Sequence, residues 1–190
     1  MRTTSSRAVR GPAAGKADAA FLTDVKTLRA RARKHIEEGA VTGNYSLDAK
    51  TAAQLLNDAL ATELICTLRY RQHAFVPKGI NSEPIAQEFL AHSNEELGHA
   101  DLLARRIVQL GGTPEFNPDA LSGRSHAEYR VCDTLEAMIR ENLVAERIAI
   151  ESYRELVQYF AGHDPTTRGL LEGILAMEET HADELADLLQ

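Results

Sequence analysis

The sequence predicts an all-α protein, a four-helix bundle made of two similar helical hairpins, and two observations carry that prediction. Four long segments have helical apolar spacing with start and stop signals, and no stretch shows the strict alternation of a strand. A pattern of Glu followed by Glu-x-x-His also occurs twice. Glu63 precedes Glu96-Leu97-Gly98-His99 by 33 residues, and Glu146 precedes Glu178-Glu179-Thr180-His181 by 32. Each Glu-x-x-His runs on into Ala-Asp, and Tyr-Arg follows seven residues after each lone glutamate, at Tyr70-Arg71 and Tyr153-Arg154. The two halves are offset by 82 to 83 residues.

In chain order, residues 1–45 read as a basic N-terminal arm and residues 46–190 as the bundle. Residues 1–40 carry nine Lys/Arg against four Asp/Glu, and the remainder carries 12 against 24. A Leu/Val/Ala pattern from Phe21 to about Glu38 permits a short helix, closed by Gly39 and the Gly43-Asn44 turn signal. The first long helix is expected from Leu47 to Phe75, capped by Ser46 or Asp48 and stopped before Pro77. The second is expected from Ser82, with Pro84 in its first turn, to Leu110 before Gly111-Gly112. Thr113–Arg124 reads as an irregular crossover. Ser125-His126-Ala127-Glu128 has the form of a capping box and predicts a third helix running to Phe160. Asp164-Pro165 predicts the start of a fourth that continues to the end of the sequence. Two short connections and one long one give two antiparallel hairpins joined by a crossover between the second and third helices, with no fifth helix at the C-terminus.

The 190 residues are 44% hydrophobic and 26% charged, the composition of one soluble domain with its own core. No apolar run approaches the roughly 20 residues of a membrane span, and the first twenty residues lack the apolar stretch of a secretory signal. A cytoplasmic location is expected. Two cysteines, Cys66 and Cys132, make no disulfide framework. Helical rise places them roughly 16 Å apart along the bundle, beyond the roughly 7 Å limit for a bridge.

The repeated pattern has a chemical meaning. Residues i and i+3 of a helix share a face, so a carboxylate and an imidazole at that spacing can hold one metal ion together. In the predicted bundle, Glu63, Glu96, Glu146 and Glu178 come from four different helices at one level of the core. Four carboxylates within about 4 Å of one another repel by roughly 4 kcal/mol per adjacent pair even at an effective dielectric near 20. Two divalent cations cancel the four charges, and His99 and His181 add neutral nitrogen ligands. Tyr70 and Tyr153 fall about 20° short of the ligand face and also fit as core tyrosines with satisfied hydroxyls. Asn142, one turn before Glu146, is placed either to hydrogen-bond a ligand histidine or as a buried amide. His92 reads as a core or surface histidine, and His35, His73, His126 and His163 as loop or helix-end residues.

Residues 45–190 resemble the ferritin-like superfamily, in particular bacterioferritin and the bacterioferritin-like group of Dps-like mini-ferritins. The resemblance rests on the six ligand-type residues, both intervals and the paired tyrosines. It implies a ferritin-like four-helix bundle with ferroxidase activity and dinuclear iron. Glu63 with His99 and Glu146 with His181 would be terminal ligands, Glu96 and Glu178 bridging ones, and Tyr70 a nearby electron-transfer tyrosine. Bacterioferritin binds haem through a methionine at the position of Leu97, so haem is not expected. Met177, off that position, is expected in the core. The C-terminal segment after His181 has no room for a fifth helix, which favours a dodecameric mini-ferritin cage.

The resulting expectation is an iron-storing, stress-protecting homo-oligomer that oxidises Fe(II) with H2O2 or O2 and keeps ferric mineral. Two other readings fit the same residues. One is a freestanding di-metal enzyme, either a manganese catalase or a rubrerythrin-like peroxidase. The other is a DNA-compacting protein using the basic arm.

Overall fold

The computed structural model describes residues 23–79 and 82–190. The sequence up to residue 22, which holds much of the expected basic arm, lies outside the described residues. Six α-helices and no strand are found among the described residues: α1 Val25–Arg31, α2 Ala49–Phe75, α3 Ser82–Gln109, α4 Pro118–Arg124, α5 Leu135–Phe160 and α6 Pro165–Asp187. The all-α expectation holds. Helix α2 packs along α3 and α5 along α6, and the two hairpins meet through α2 against α5 and α3 against α6.

The caps explain where the long helices begin. Asp48 accepts the Thr51 N–H at 2.9 Å, and Asp164 accepts the Thr167 N–H at 2.9 Å with Pro165 in the first turn of α6. Both Asp164 oxygens also accept from Nη2 of the buried Arg106 guanidinium, at 2.8 and 3.0 Å, which ties the end of α3 to the start of α6. Helix α3 stops at Gly111, whose φ of 78° is the left-handed conformation glycine adopts freely. A Cβ on the next residue, Gly112, would lie 2.7 Å from the Ala53 Cβ, so only glycine lets the chain pass α2 there.

Three sequence expectations fail locally. The N-terminal helix is confined to Val25–Arg31; His35 takes a left-handed φ of 50°, and a 3-10 turn follows at Ile36–Glu38. The crossover is not irregular throughout but contains α4, capped by Asn117 with Pro118 in its first turn. The Ser125–Glu128 capping box opens no helix. Ser125 instead terminates α4, and α5 starts ten residues later behind the Thr134 cap. Tertiary hydrogen bonds explain the override: Thr62 Oγ1 accepts the His126 N–H at 3.0 Å, and the Arg69 guanidinium donates to the Glu128 carbonyl at 3.0 Å. These bonds hold the segment extended against the bundle.

The core is split. One apolar cluster contains Leu56, Leu60, Leu103, Ile107, Phe160, Leu171 and Ile174. Another contains Tyr70, Phe89, Met138, Ile139 and Leu185. Along every long helix the repeated glutamate falls between a residue of the first cluster and one of the second: Leu60 and Tyr70 flank Glu63, and Ile174 and Leu185 flank Glu178. The bundle thus has apolar packing at both ends and a carboxylate layer between them. Met177, expected in the core, is instead 37% exposed on α6. No helix among the described residues is long and apolar enough to cross a membrane.

Candidate metal centre

All six sequence-predicted ligand residues meet in that layer. Glu63, Glu96, Glu146, Glu178 and His181 are each 1% exposed and His99 is 7% exposed. They form two interlocking groups. Glu63, His99, Glu96 and Glu178 offer donor atoms within 4.8 Å of one another, and so do Glu146, His181, Glu96 and Glu178. Glu96 and Glu178 belong to both groups and present a different oxygen to each. His99 Nδ1 lies 3.1 Å from Glu96 Oε2 and 3.0 Å from Glu178 Oε1. His181 Nδ1 lies 3.7 Å from Glu96 Oε1 and 3.8 Å from Glu178 Oε2. Glu63 stands on the His99 side, at 3.4 Å, and Glu146 on the His181 side, at 4.0 Å.

Several of these atoms have no hydrogen-bond partner although they are buried: Glu96 Oε1, Glu146 Oε2, both Glu178 oxygens and His181 Nδ1. Unmade hydrogen bonds of this kind are costly in a core, and five of them facing one another call for a cation. The donor set, four carboxylates and two imidazoles shared over two pockets, suits a pair of first-row divalent ions.

Without metal, protons have to do the neutralising. Burial pushes the Glu63 carboxyl up to about 8 and that of Glu146 up to about 7, with the charge of Glu96 adding to each. Burial, then Glu96 and Glu63, holds Glu178 well above the usual carboxylate range. For the imidazoles burial acts downward but is outweighed. The carboxylates of Glu178, Glu63 and Glu96 crowded around it bring His99 up to about 12, and Glu96 and Glu146 bring His181 to about 9. Glu96 is held below the ordinary carboxylate range, because the His181 and His99 rings beside it overcome its burial.

The surrounding residues follow an approximate two-fold plan. Tyr70, on the helix of Glu63, donates its hydroxyl to Glu146, while Tyr153, on the helix of Glu146, donates to Glu63. Both rings are buried, and both phenols are pushed well above their ordinary value, first by burial and then by the carboxylate each touches. His181 Nε2 bonds Glu95 at 2.9 Å, an arrangement that turns Nδ1 toward the centre. Sequence reading missed Glu95, whose partner is 86 residues away. His92 is a core histidine stacked on His181 with ring centroids 4.1 Å apart.

Asn142 takes the second of its two readings, a buried amide: its Oδ1 accepts from Arg69 Nε at 3.0 Å and faces His73 Nδ1 at 3.0 Å. His73 lies at a helix end, as expected, and is fully buried in the last turn of α2. Cys66 and Cys132 are both free thiols, as their spacing predicted.

The family comparison decides the relationship. Residues 53–190 match the model of the ferritin-like domain. The chain belongs to the ferritin family. It is 32% identical over 141 residues to a bacterioferritin of Rhodobacter capsulatus, covering 73% of this chain and 81% of that one. A dodecameric thioferritin, the bacterioferritin-related protein of Bacteroides fragilis, superposes with a TM-score of 0.72 at 33% identity over 75% of this chain and 86% of the other. A ferritin-like, diiron-carboxylate protein of Bacillus anthracis superposes with a TM-score of 0.67 at 28% identity, over 76% and 99% of the two chains. This ferritin-family bundle therefore holds, at its centre, a donor set with the chemistry of a dinuclear site.

Proposed function

We propose that this chain is an iron-storage and oxidative-stress protein that oxidises Fe(II) to Fe(III) at a dinuclear site within one subunit. Its ligands are Glu63 and His99 for one ion and Glu146 and His181 for the other, with Glu96 and Glu178 bridging. The observation that carries this reading is the sharing of Glu96 and Glu178: each offers one oxygen to each pocket, so the same two carboxylates would hold two ions side by side. Two adjacent Fe(II) ions can give one electron each to an oxidant. With H2O2, two Fe(II) and two protons yield two Fe(III) and two waters; with O2, the same two electrons and two protons yield H2O2.

The protein's own residues manage charge and protons in this scheme. Glu63 and Glu146 give up their protons when iron enters, and Glu95 holds the His181 ring with Nδ1 inward. Tyr70 and Tyr153 fix the outer oxygens of the two terminal glutamates. Tyr70 is in addition close enough to donate an electron. The family relationship and the dodecameric relative support assembly as a homo-oligomeric cage, with a dodecamer favoured, in which the oxidised iron is kept as mineral. The division into a basic arm, residues 1–45, and a bundle, residues 46–190, belongs to the same reading.

The test is anaerobic Fe(II) addition to metal-free protein, followed by H2O2 or O2, monitoring ferric absorbance and the iron retained per particle on a sizing column, with Glu96→Ala alongside. Iron accumulating far beyond two ions per chain in a large hollow particle, with slow oxidation in the variant, is the expected result. Uptake that stops at one dinuclear site in a small particle would replace storage with a freestanding enzyme.

A further inference from the structure

Beside the dinuclear centre, on the α3 and α6 side, lies a second constellation with ligand chemistry. Glu88, His92 and Glu184 bring donor atoms within 4.8 Å of one another. His92 is 2% exposed, whereas Glu88 and Glu184 are about half exposed and reach in from the surface. His92 Nε2 is 3.0 Å from Glu184 Oε2 and 3.4 Å from Glu88 Oε1. Two donor atoms each about 2.1 Å from one ion stand roughly 3.0 Å apart at an octahedral angle and roughly 3.4 Å apart at a tetrahedral one. The observed separations fall on those values. A cavity lined by Pro84, Ile85, Glu88, Glu184, Asp187 and Leu188 opens onto the same two carboxylates.

The opposite ring nitrogen limits what His92 can offer. Nδ1 is 3.3 Å from the Tyr70 hydroxyl, whose single proton is donated to Glu146. That contact and the stacking on His181 set the ring so that Nε2 points at the two carboxylates. One buried imidazole nitrogen and two carboxylate oxygens converge on one point, the donor set of a divalent cation.

The bundle itself does not demand this cluster. Applying the 82-residue offset that relates Glu96 to Glu178 and His99 to His181, the counterparts of Glu88, His92 and Glu184 are Leu170, Ile174 and Leu102. The equivalent place in the other half is therefore apolar, and the fold is satisfied with it so.

We infer that Glu88, His92 and Glu184 form a third divalent-cation site in each subunit, separated from the dinuclear centre by the stacked His92 and His181 rings. One nitrogen and two carboxylate oxygens leave the remaining positions to water, and the half-exposed glutamates let the ion exchange with the surroundings. That the physiological occupant is Fe(II) rests on the function proposed above; the site itself does not.

The experiment uses Zn(II), which has no redox chemistry, on the full-length assembled protein freed of metal. Wild type, Glu88→Gln/Glu184→Gln and Glu96→Gln/Glu178→Gln are crystallised with Zn(II), and anomalous difference maps are compared with zinc counts after dialysis. The expected wild-type map has a peak at bonding distance from His92 Nε2 besides two among the six core ligands. In the Glu88/Glu184 variant, which changes only surface-reaching side chains, the His92 peak disappears, one zinc per chain is lost, and the core pair stays. A wild-type map with core peaks but none beside His92 overturns the inference, as does an unchanged zinc count in that variant. A peak beside His92 with none in the core supports the third site while refuting the dinuclear reading, so the two failures are distinct.

Discussion

Loading the dinuclear centre should release about four protons for each pair of divalent ions bound near neutral pH. At pH 7 in the metal-free protein, Glu63 at about 8 holds a proton, and Glu178, pushed well above the usual carboxylate range, is drawn toward its protonated form. Glu146 at about 7 is half protonated, and His181 at about 9 and His99 at about 12 are imidazolium ions. Glu96 is ionised. Ligation needs carboxylates and a free Nδ1 on each ring, so nearly all of these protons have to leave. The affinity for the pair should then rise by roughly four powers of ten per pH unit, or about a hundredfold per ion. Calorimetric titration with Zn(II) in buffers of differing ionisation enthalpy measures the release, and the Glu88→Gln/Glu184→Gln variant keeps the third site out of the count. The same shifts fix the sign of stability in the metal-free protein. All five raised groups bind protons more tightly when folded, so their contribution is complete below the unfolded values, 4.5 for Glu and 6.5 for His. The part due to Glu146, Glu63 and His181 is lost as pH rises through about 7 to 9, and that of His99 only toward about 12. The metal-free protein should melt at progressively lower temperature from pH 5 to pH 9, and zinc should recover most at the alkaline end. Release of less than one proton per pair would refute the reasoning, because the buried carboxylates would then have to be ionised without metal.

Other substitutions test separate parts of the structure. Glu63→Ala should lose only the ion on the His99 side, whereas Glu96→Ala should lose both and slow Fe(II) oxidation at least a hundredfold; mass spectrometry of the zinc-loaded protein and stopped-flow absorbance read the two effects. Arg106→Met leaves the Asp164 carboxylate, 3% exposed, without its charged partner and should cost about 3–5 kcal/mol in urea unfolding. Asp164 is held at about 2 by hydrogen bonds from Thr167 and Arg106 that outweigh its burial, so its contribution is present above 3.8 and is lost as pH falls through about 2. Gly112→Ala places a methyl 2.7 Å from the Ala53 Cβ and should destabilise by about 1–3 kcal/mol, which a thermal melt detects.

Much of this architecture is legible in the sequence because its signals are periodic or local. Asp48, Asp164 and Gly111 sit where the caps of α2, α6 and α3 are found. The doubled Glu and Glu-x-x-His spacing dictates that six side chains share one level once four helices align. What misled is equally local. Ser125-x-x-Glu128 has the right letters for a helix start, but a buried guanidinium from α2 and the Thr62 hydroxyl take the backbone groups of that segment for themselves. No window of sequence shows that competition, since its partners lie about 60 residues away. Glu95 was passed over for the same reason, and His92 was read only as a core or surface histidine. Each acquires its role from α6, through His181 and Glu184. Ligand spacing is a property of one helix, whereas the orientation of a ligand ring is a property of two.

That distinction separates the two tyrosines, which the sequence presents as equivalents. Tyr70 and Tyr153 each hand a hydroxyl proton to the terminal glutamate of the other hairpin, so Tyr70→Phe and Tyr153→Phe remove the same bond from opposite sides of the centre. If both tyrosines only position carboxylates, the two variants should slow Fe(II) oxidation alike. Their surroundings differ in one respect: the Tyr70 oxygen is also 3.3 Å from His92 Nδ1, an imidazole connected to the surface through Glu184. A phenol that loses an electron must lose its proton too, and Tyr70 has Glu146 on one side and His92 on the other to exchange it with. Freeze-quench EPR after mixing the Fe(II)-loaded protein with oxidant should therefore show a tyrosyl radical in wild type and in Tyr153→Phe but none in Tyr70→Phe. A radical that persists in Tyr70→Phe and vanishes in Tyr153→Phe would place the electron donor on the other side of the pair and leave the His92 contact a packing feature.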